Sequence, residues 1–159
     1  MAVSGFVTRF LDSADVVYSI DHHGACFTAQ DLAQEEAITG YRVAKSVVCI
    51  VDDRPVIAVL PAPFQVDLDT LREEYGASAV RLAEPQELSS LFSEFDTALA
   101  PPPLPLWRGI PILADVSLEL EGDIIFAAGS AKDAIRMAVA DWTRVAEPFF
   151  GSFAMPVDG

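Results

Sequence analysis

Lys45 is one of only two lysines in the chain, and it stands near the start of RVAKSVVCIVDDRPVIAVLP, residues 42–61. Two apolar runs in that stretch, Val47–Val51 and Val56–Leu60, are joined by the turn-like Asp52-Asp53-Arg54-Pro55. An ammonium group at the mouth of an apolar hairpin has several chemical options. In water it is a solvated strand-end charge. Partly buried, its pKa falls through desolvation and it can take part in proton transfer. Aimed at a ligand, it is a point charge for a carbonyl or phosphate oxygen. Other reactive side chains are sparse. His22 and His23 are the only histidines. Their adjacency suits a shared metal poorly, so no metal site is expected. Cys26 and Cys49 lie far apart with no Cys-x-x-Cys, the pattern of free thiols rather than a disulfide. Cys49 falls inside an apolar run and reads as core. No Ser/His/acid signature and no Gly-x-Ser-x-Gly is present, which argues against protease or lipase chemistry.

The totals bound what can position such groups. A chain of 159 residues fits one domain over 1–159 with a real core. Its 52% hydrophobic and 21% charged content argues for a globular fold rather than disorder. No apolar run approaches the roughly 20 residues of a membrane span, and the start shows no basic segment leading into a clean apolar one. A cytoplasmic protein with no membrane partner is the expectation. The formal charge of −14 disfavours wrapping long nucleic acid such as DNA, which needs a dense cationic face. Contact with a short nucleic-acid terminus through a few placed cations stays open.

The elements follow from periodicity and punctuation. Ser4 can cap a helix with Phe6, Val7, Phe10 and Leu11 on one face. Val16–Ile20 reads as a strand and Thr28 to Gly40 as a helix with Leu32, Ala33 and Ala37 inward. The hairpin is apolar at nearly every position, so both its faces should be covered. Asp67 caps a helix with Leu68, Leu71 and Tyr75 inward, stopped by Gly76. Ala79–Leu82 is a short strand, and Pro85 opens a helix carrying Leu88, Leu91, Phe92 and Phe95. The run ALAPPPLP, residues 98–105, forbids helix and central strand and favours a stiff extended loop. Pro111–Asp115 and Asp123–Ala128 are strand candidates, and Ala134–Met137 fits strand or helix equally. Ala140–Ala146 reads as a helix stopped by Pro148, and Met155–Gly159 as a loose tail. Helices and strands mix without strict alternation, so the expected class is α+β with a mixed or partly closed β-sheet surrounded by helices.

Taken in order, these pieces resemble the YbaK/ProX family of aminoacyl-tRNA deacylases, free-standing relatives of a prolyl-tRNA synthetase editing domain. The resemblance is carried by Tyr18-Ser-Ile-Asp-His-His23 with Phe27-Thr28-Ala29, by Arg42-Val-Ala-Lys45-Ser-Val-Val, and by Ile57-Ala-Val-Leu-Pro61 running on to Val66-Asp67-Leu68. Late in the chain it rests on Gly109-Ile-Pro-Ile-Leu-Ala-Asp115, Ile124-Ile-Phe-Ala-Ala-Gly129 and Ala134-Ile-Arg-Met-Ala-Val-Ala-Asp141-Trp. It implies the fold of that editing domain, hydrolysis of the ester between a wrong, small amino acid and the terminal ribose of a tRNA, and no cofactor. It implies the aminoacyl-tRNA 3′ end as partner and leaves a synthetase open as a second.

Carried over residue by residue, the resemblance makes Lys45 the residue most tied to activity. It matches the loop that takes the tRNA 3′ end to Ala98-Leu-Ala-Pro-Pro102, where Pro102 is kept and the family's glycine is Ala98. Alanine restricts the close approach and positive φ that glycine allows. Tyr18 and Phe27 are candidates to line an amino-acid pocket or stack on the terminal adenine, with plain core aromatics as the alternative. His23 touches the substrate, orders the loop or is purely structural. Asp115 caps a turn or binds a ligand. Gly129 and Ser130 offer backbone N–H groups to a carbonyl oxygen, or simply end a strand. Arg42 and Trp107-Arg108 contact tRNA or are surface groups. Rival readings are a non-catalytic module of the same fold that binds tRNA ends or a synthetase, and a hydrolase of another small ester.

Overall fold

The computed structural model describes residues 5–22, 42–93, 100–119, 121–130 and 133–157, with only the backbone at residues 22 and 128–130. Helix α1, Gly5–Ser13, buries Val7 and Leu11, and Phe6 and Phe10 pack beside them, as the spacing predicts. Strand β1, Tyr18–His22, starts two residues later than the run Val16–Ile20 suggests, because Val17 points into solvent and is 85% exposed. The helix expected between Thr28 and Gly40 lies outside the described residues.

The hairpin is the centre of the fold. Strands β2, Ala44–Val51, and β3, Arg54–Pro61, pair antiparallel over eight residues each. Their connection is only Asp52-Asp53, with φ of 46° and 65°, the doubly positive turn whose twist matches that of the strands. The Asp52 carboxylate accepts hydrogen bonds from the Ser78 and Ala79 amides at 2.9 Å, which pins the turn. Pro55 sits in β3 opposite Ile50, one place from the turn.

Both faces of the hairpin are covered, as its composition requires. Ala44, Val48, Ile57 and Val59 join one core cluster with Leu104, Phe126 and Trp142; Cys49, Ala58 and Leu60 join another with Leu71, Leu113 and Phe153. The hairpin sits inside a five-stranded sheet ordered β5-β2-β3-β6-β9, with β5 at Val80–Leu82, β6 at Ile112–Asp115 and β9 at Phe149–Gly151. The β3–β6 and β6–β9 pairs are parallel and the others antiparallel, so the sheet is mixed. A second, antiparallel sheet has the order β1-β8-β7, with β7 at Asp123–Ser130 and β8 at Asp133–Ala138. Ala134–Met137, ambiguous by periodicity, is therefore strand. A parallel bridge between Val43 and Ile125 joins the two sheets.

The tail corrects an expectation. Ala154–Pro156 is a strand, β10, paired with β4 at Phe64–Val66. It is ordered because Phe153 is fully buried and Asp115 accepts hydrogen bonds from the amides of Phe153 and Ala154.

Helix α2, Leu68–Glu74, is capped by Asp67, which accepts from the Thr70 amide. Helix α3, Pro85–Leu91, begins with a capping box between Glu84 and Glu87. Helix α4, Val139–Ala146, buries Val139, Trp142 and Ala146 and ends at Glu147 with φ 47°, just before Pro148. The architecture is α+β. Among the described residues no helix is long and apolar enough to cross a membrane.

Candidate active site

Side chains alternate across β2, so Lys45 lies on the face of Val47, Cys49 and Val51, opposite Leu60 on β3. It is the polar end of an otherwise apolar row. Its Nζ donates to the Ala62 carbonyl at 3.1 Å, and the Ala62 amide donates to the Val43 carbonyl at 2.9 Å, so the end of the hairpin holds the amine. One N–H of three is used, which leaves donors for a ligand. Half-burial pushes the Lys45 pKa below its ordinary value, because the charged form loses solvent and gains no carboxylate. Cys49, two places along, is buried with its thiol pushed up to about 11 by desolvation, which makes it an inert core residue. Ser46 faces the other way and is buried, with its hydroxyl unpartnered among the described residues.

Topology decides what lies near the lysine. Val43 bridges Ile125 in parallel, so β2 and β7 leave that point in the same direction. Lys45 is two residues beyond Val43, and Gly129-Ser130 are four and five residues beyond Ile125, at the end of β7. At that end Ser130 pairs with Asp133 of β8, and Asp133 pairs with His22 at the end of β1. Lys45 on β2 and the backbone of Gly129-Ser130 on the adjoining β7 thus lie toward the same end of the fold, and the His22 end of β1 points the same way two strands further out. Tyr18 is at the opposite end of β1, level with Met137 and Ile124. Counted along the sheet it is three strands from β2, roughly 14 Å. Its ring packs on the core and its hydroxyl donates to Asp12 at 2.8 Å, an arrangement that matches the core-aromatic alternative.

Asp133 was passed over in the sequence, where it falls in Ser130-Ala-Lys-Asp between two apolar runs. It is a carboxylate only 3% exposed, at the register position shared with His22 and Ser130. A carboxylate buried there needs polar partners, and Asp133 is not without an interaction. An acidic residue immediately before an apolar strand is the one signal that pointed to it.

Asp115 does the work of a cap. Its carboxylate is 4% exposed and accepts from the Ser117 amide and hydroxyl on one oxygen and from the Phe153 and Ala154 amides on the other. Burial by itself would raise its pKa, but these donors outweigh burial and hold the pKa below the ordinary carboxylate value. Arg42 is likewise spent inside the fold: its guanidinium donates to the carbonyls of Glu121 and Asp123 at 2.9 and 3.2 Å. Trp107 packs edge-on against Phe92, with ring centroids 4.7 Å apart. Pro102 is buried with Pro101, Pro103 and Leu104, and the Trp142 indole donates to the Pro103 carbonyl at 2.9 Å, so this loop is pinned to the core. His23, Phe27 and Ala98 lie outside the described residues, and only the backbone of Gly129 and Ser130 is described. Among the described residues no group of His, Cys, Asp or Glu has the geometry of a metal site.

A family model described as an aminoacyl-tRNA editing domain matches residues 23–145. No curated protein matches the sequence significantly. Among solved structures, a hypothetical protein superposes with a TM-score of 0.85 at 14% identity, over 94% of this chain and 99% of the other. A candidate trans-editing enzyme for prolyl-tRNA synthetase gives a TM-score of 0.78 at 17% identity, over 97% and 99% of the two chains. A candidate signal transduction protein from Marinobacter aquaeolei gives 0.75 at 18% identity, covering 97% of this chain but 31% of that one. At such identities the likeness is one of fold.

Proposed function

The chain belongs to the aminoacyl-tRNA editing domain family, and from that footing we propose that it is a free-standing cytoplasmic deacylase. Its reaction is hydrolysis of the ester between a wrongly attached small amino acid and the terminal ribose of a tRNA. A single domain over 1–159 carries it out. Such an enzyme adds a second sieve where small side-chain differences give a synthetase too little discrimination.

The observation that carries this reading is the half-buried amine of Lys45, held at the end of an apolar row on the strand that adjoins β7. Ester hydrolysis needs no covalent nucleophile if water, a polarised carbonyl and a stabilised oxyanion are brought together. Lys45, as an ammonium, donates to the ester carbonyl oxygen. Water adds to the carbonyl carbon, and negative charge gathers on that oxygen in the tetrahedral intermediate. The N–H groups of Gly129 and Ser130 supply further donors. Collapse breaks the bond to the ribose oxygen, which takes up a proton, and releases free amino acid and tRNA. The neighbouring ribose hydroxyl takes part in positioning the water. Partial burial strengthens the donor because a charge–dipole interaction is less screened there. His23, Phe27 and the loop from Ala98 to Pro102 shape the pocket and the seat of the 3′ end.

A second reading is favoured by Ala98 in place of the family's glycine and by the charge of −14: a binding module for tRNA ends or a synthetase, without catalysis. A panel of mischarged tRNAs and free aminoacyl esters, incubated with the wild type and with Lys45→Ala, separates the two. Lysine-dependent release of one amino acid from tRNA supports the deacylase. Binding of tRNA with no release from any member supports the module, and release from free esters alone points to another small-ester hydrolase.

A further inference from the structure

We propose that the cleft between α1 and the segment Pro105–Trp107, with the adjoining Arg108, is the surface on which the phosphate backbone of the tRNA acceptor end rests. It deepens the tRNA reading above and depends on it. The cleft is open, about 360 Å³, and lined by Phe6, Arg9, Phe10, Ser13, Pro105 and Leu106.

The reason lies in how the chain spends its few cations. Arg72, Arg81, Arg136 and Arg144 are paired with Asp69, Glu87, Asp21 and Asp141. Arg42 is bound to two carbonyls and Lys45 to a third. Among the described residues, the cations with no hydrogen bond or ion pair are Arg9, Arg54 and Arg108. Arg54 stands at the hairpin turn directly after Asp52 and Asp53, where it is outnumbered. Arg9 and Arg108 are both exposed; Arg9 lines the cleft, and Arg108 stands two residues after Leu106 of its other wall. The carboxylate nearest in sequence to Arg9, Asp12, accepts the Tyr18 hydroxyl and forms no ion pair with Arg9.

In a chain with 24 acidic residues, an unpaired guanidinium in one wall of a cleft and a second two residues along the chain from the other wall are the exception. Guanidinium binds phosphate in a bidentate fork, and beside half-buried rings it suits single-stranded nucleic acid, where charge follows the backbone and aromatics meet base or ribose. At physiological salt the screening length is about 8 Å, so distant carboxylates are damped while contacts within the cleft act at full strength. The wall is firm: Phe6 and Trp107 stand with ring centroids 6.5 Å apart, and the loop is tied through Pro103 to Trp142. Pro105 is five positions after the exposed Ala100, at most roughly 17 Å of chain. A strand whose 3′ end is seated at the exposed Ala100 of this loop therefore reaches the cleft within a few nucleotides.

The test compares the full-length wild type with Arg9→Glu/Arg108→Glu and Arg9→Lys/Arg108→Lys, using fluorescence anisotropy with uncharged tRNA across a salt series. The double reversal should weaken binding at least tenfold and flatten the slope of log affinity against log salt by about 1.4, two contacts on a single strand. The lysine pair should keep most of the affinity, and all three proteins should melt alike, since both side chains are exposed. Equal affinity and slope in the double reversal overturns the proposal, as does self-association of the wild type through this cleft in place of tRNA binding. A wild type that binds tRNA but never hydrolyses it defeats the deacylase reading while leaving this surface intact, and unchanged binding by the double reversal does the opposite.

Discussion

Lys45 is costly to the fold, and in the proposed reaction it is the group on which the chemistry depends. Its pKa is lowered by burial, so between that value and the ordinary 10.5 the unfolded chain binds more protons at this site than the folded one. Stability from this group therefore rises with pH through that window, and below it the full cost of burying the ammonium is present. Catalysis runs the other way if the ammonium is the donor. Deacylation at saturating tRNA should be level at lower pH and fall as pH climbs through the lowered pKa. A pH–rate profile with no alkaline limb below 10.5 would remove the ammonium from the mechanism. The placement of Lys45 at the end of the hairpin was legible because it stands beside two apolar runs, while a role for it came from the family resemblance and not from spacing. The role of Arg42 was not legible, because its partners lie 79 and 81 residues away; of Asp115 only the local turn cap was, because its bonds to the Phe153 and Ala154 amides span 38 and 39 residues.

Among the elements, the hairpin and the capped helices were readable from local chemistry. Asp67 before Leu68, Pro85 after Glu84 and Gly76 after Tyr75 each act within a turn of their own position. The strand β10 was hidden for the opposite reason: its partner β4 is some 90 residues earlier, and its residues carry no alternation. The tight turn exposes a local compromise. Asp52 earns its positive φ by binding two amides, whereas Asp53 has φ 65° and no such bond. Asp53→Gly should raise stability by roughly 0.5–1 kcal/mol, as glycine adopts that region without a Cβ penalty. Urea midpoints at constant slope measure this, and an unchanged or lower midpoint would show that the turn carries no strain at Asp53.

At the scale of the whole molecule, two sheets, a pinned proline loop and a strapped tail surround the lysine strand. Asp115 is the strap: it links the end of β6 to the segment between β9 and β10 through donors on both of its oxygens. Asp115→Asn turns one acceptor oxygen into a donor facing the Ser117 amide. It should cost about 2 kcal/mol. Because the pKa of Asp115 is held below its ordinary 3.8, its stabilisation is present above that pH and is lost as pH falls through the lowered value; the asparagine variant should lack that acid dependence. Denaturation of both proteins at neutral and acid pH checks this, and parallel pH dependence would show that the strap is not electrostatic. The α+β class and the mixed sheet could be read from patterns of a few residues and the editing-domain architecture from the family resemblance, whereas the three-residue strands β4 and β9 could not be read. The meeting of β1, β7 and β8 around Asp133 could not, since it depends on the register between strands that are distant in the chain.

The central claim is that the amine of Lys45 drives ester hydrolysis on tRNA. The most direct test is the rate at which labelled amino acid is released from a mischarged tRNA by the wild type and by Lys45→Ala, at equal tRNA occupancy and with matched melting curves. Loss of one transition-state donor predicts a fall of about 100-fold or more in the variant, with tRNA affinity unchanged. Release at the wild-type rate by a folded Lys45→Ala protein would contradict the account.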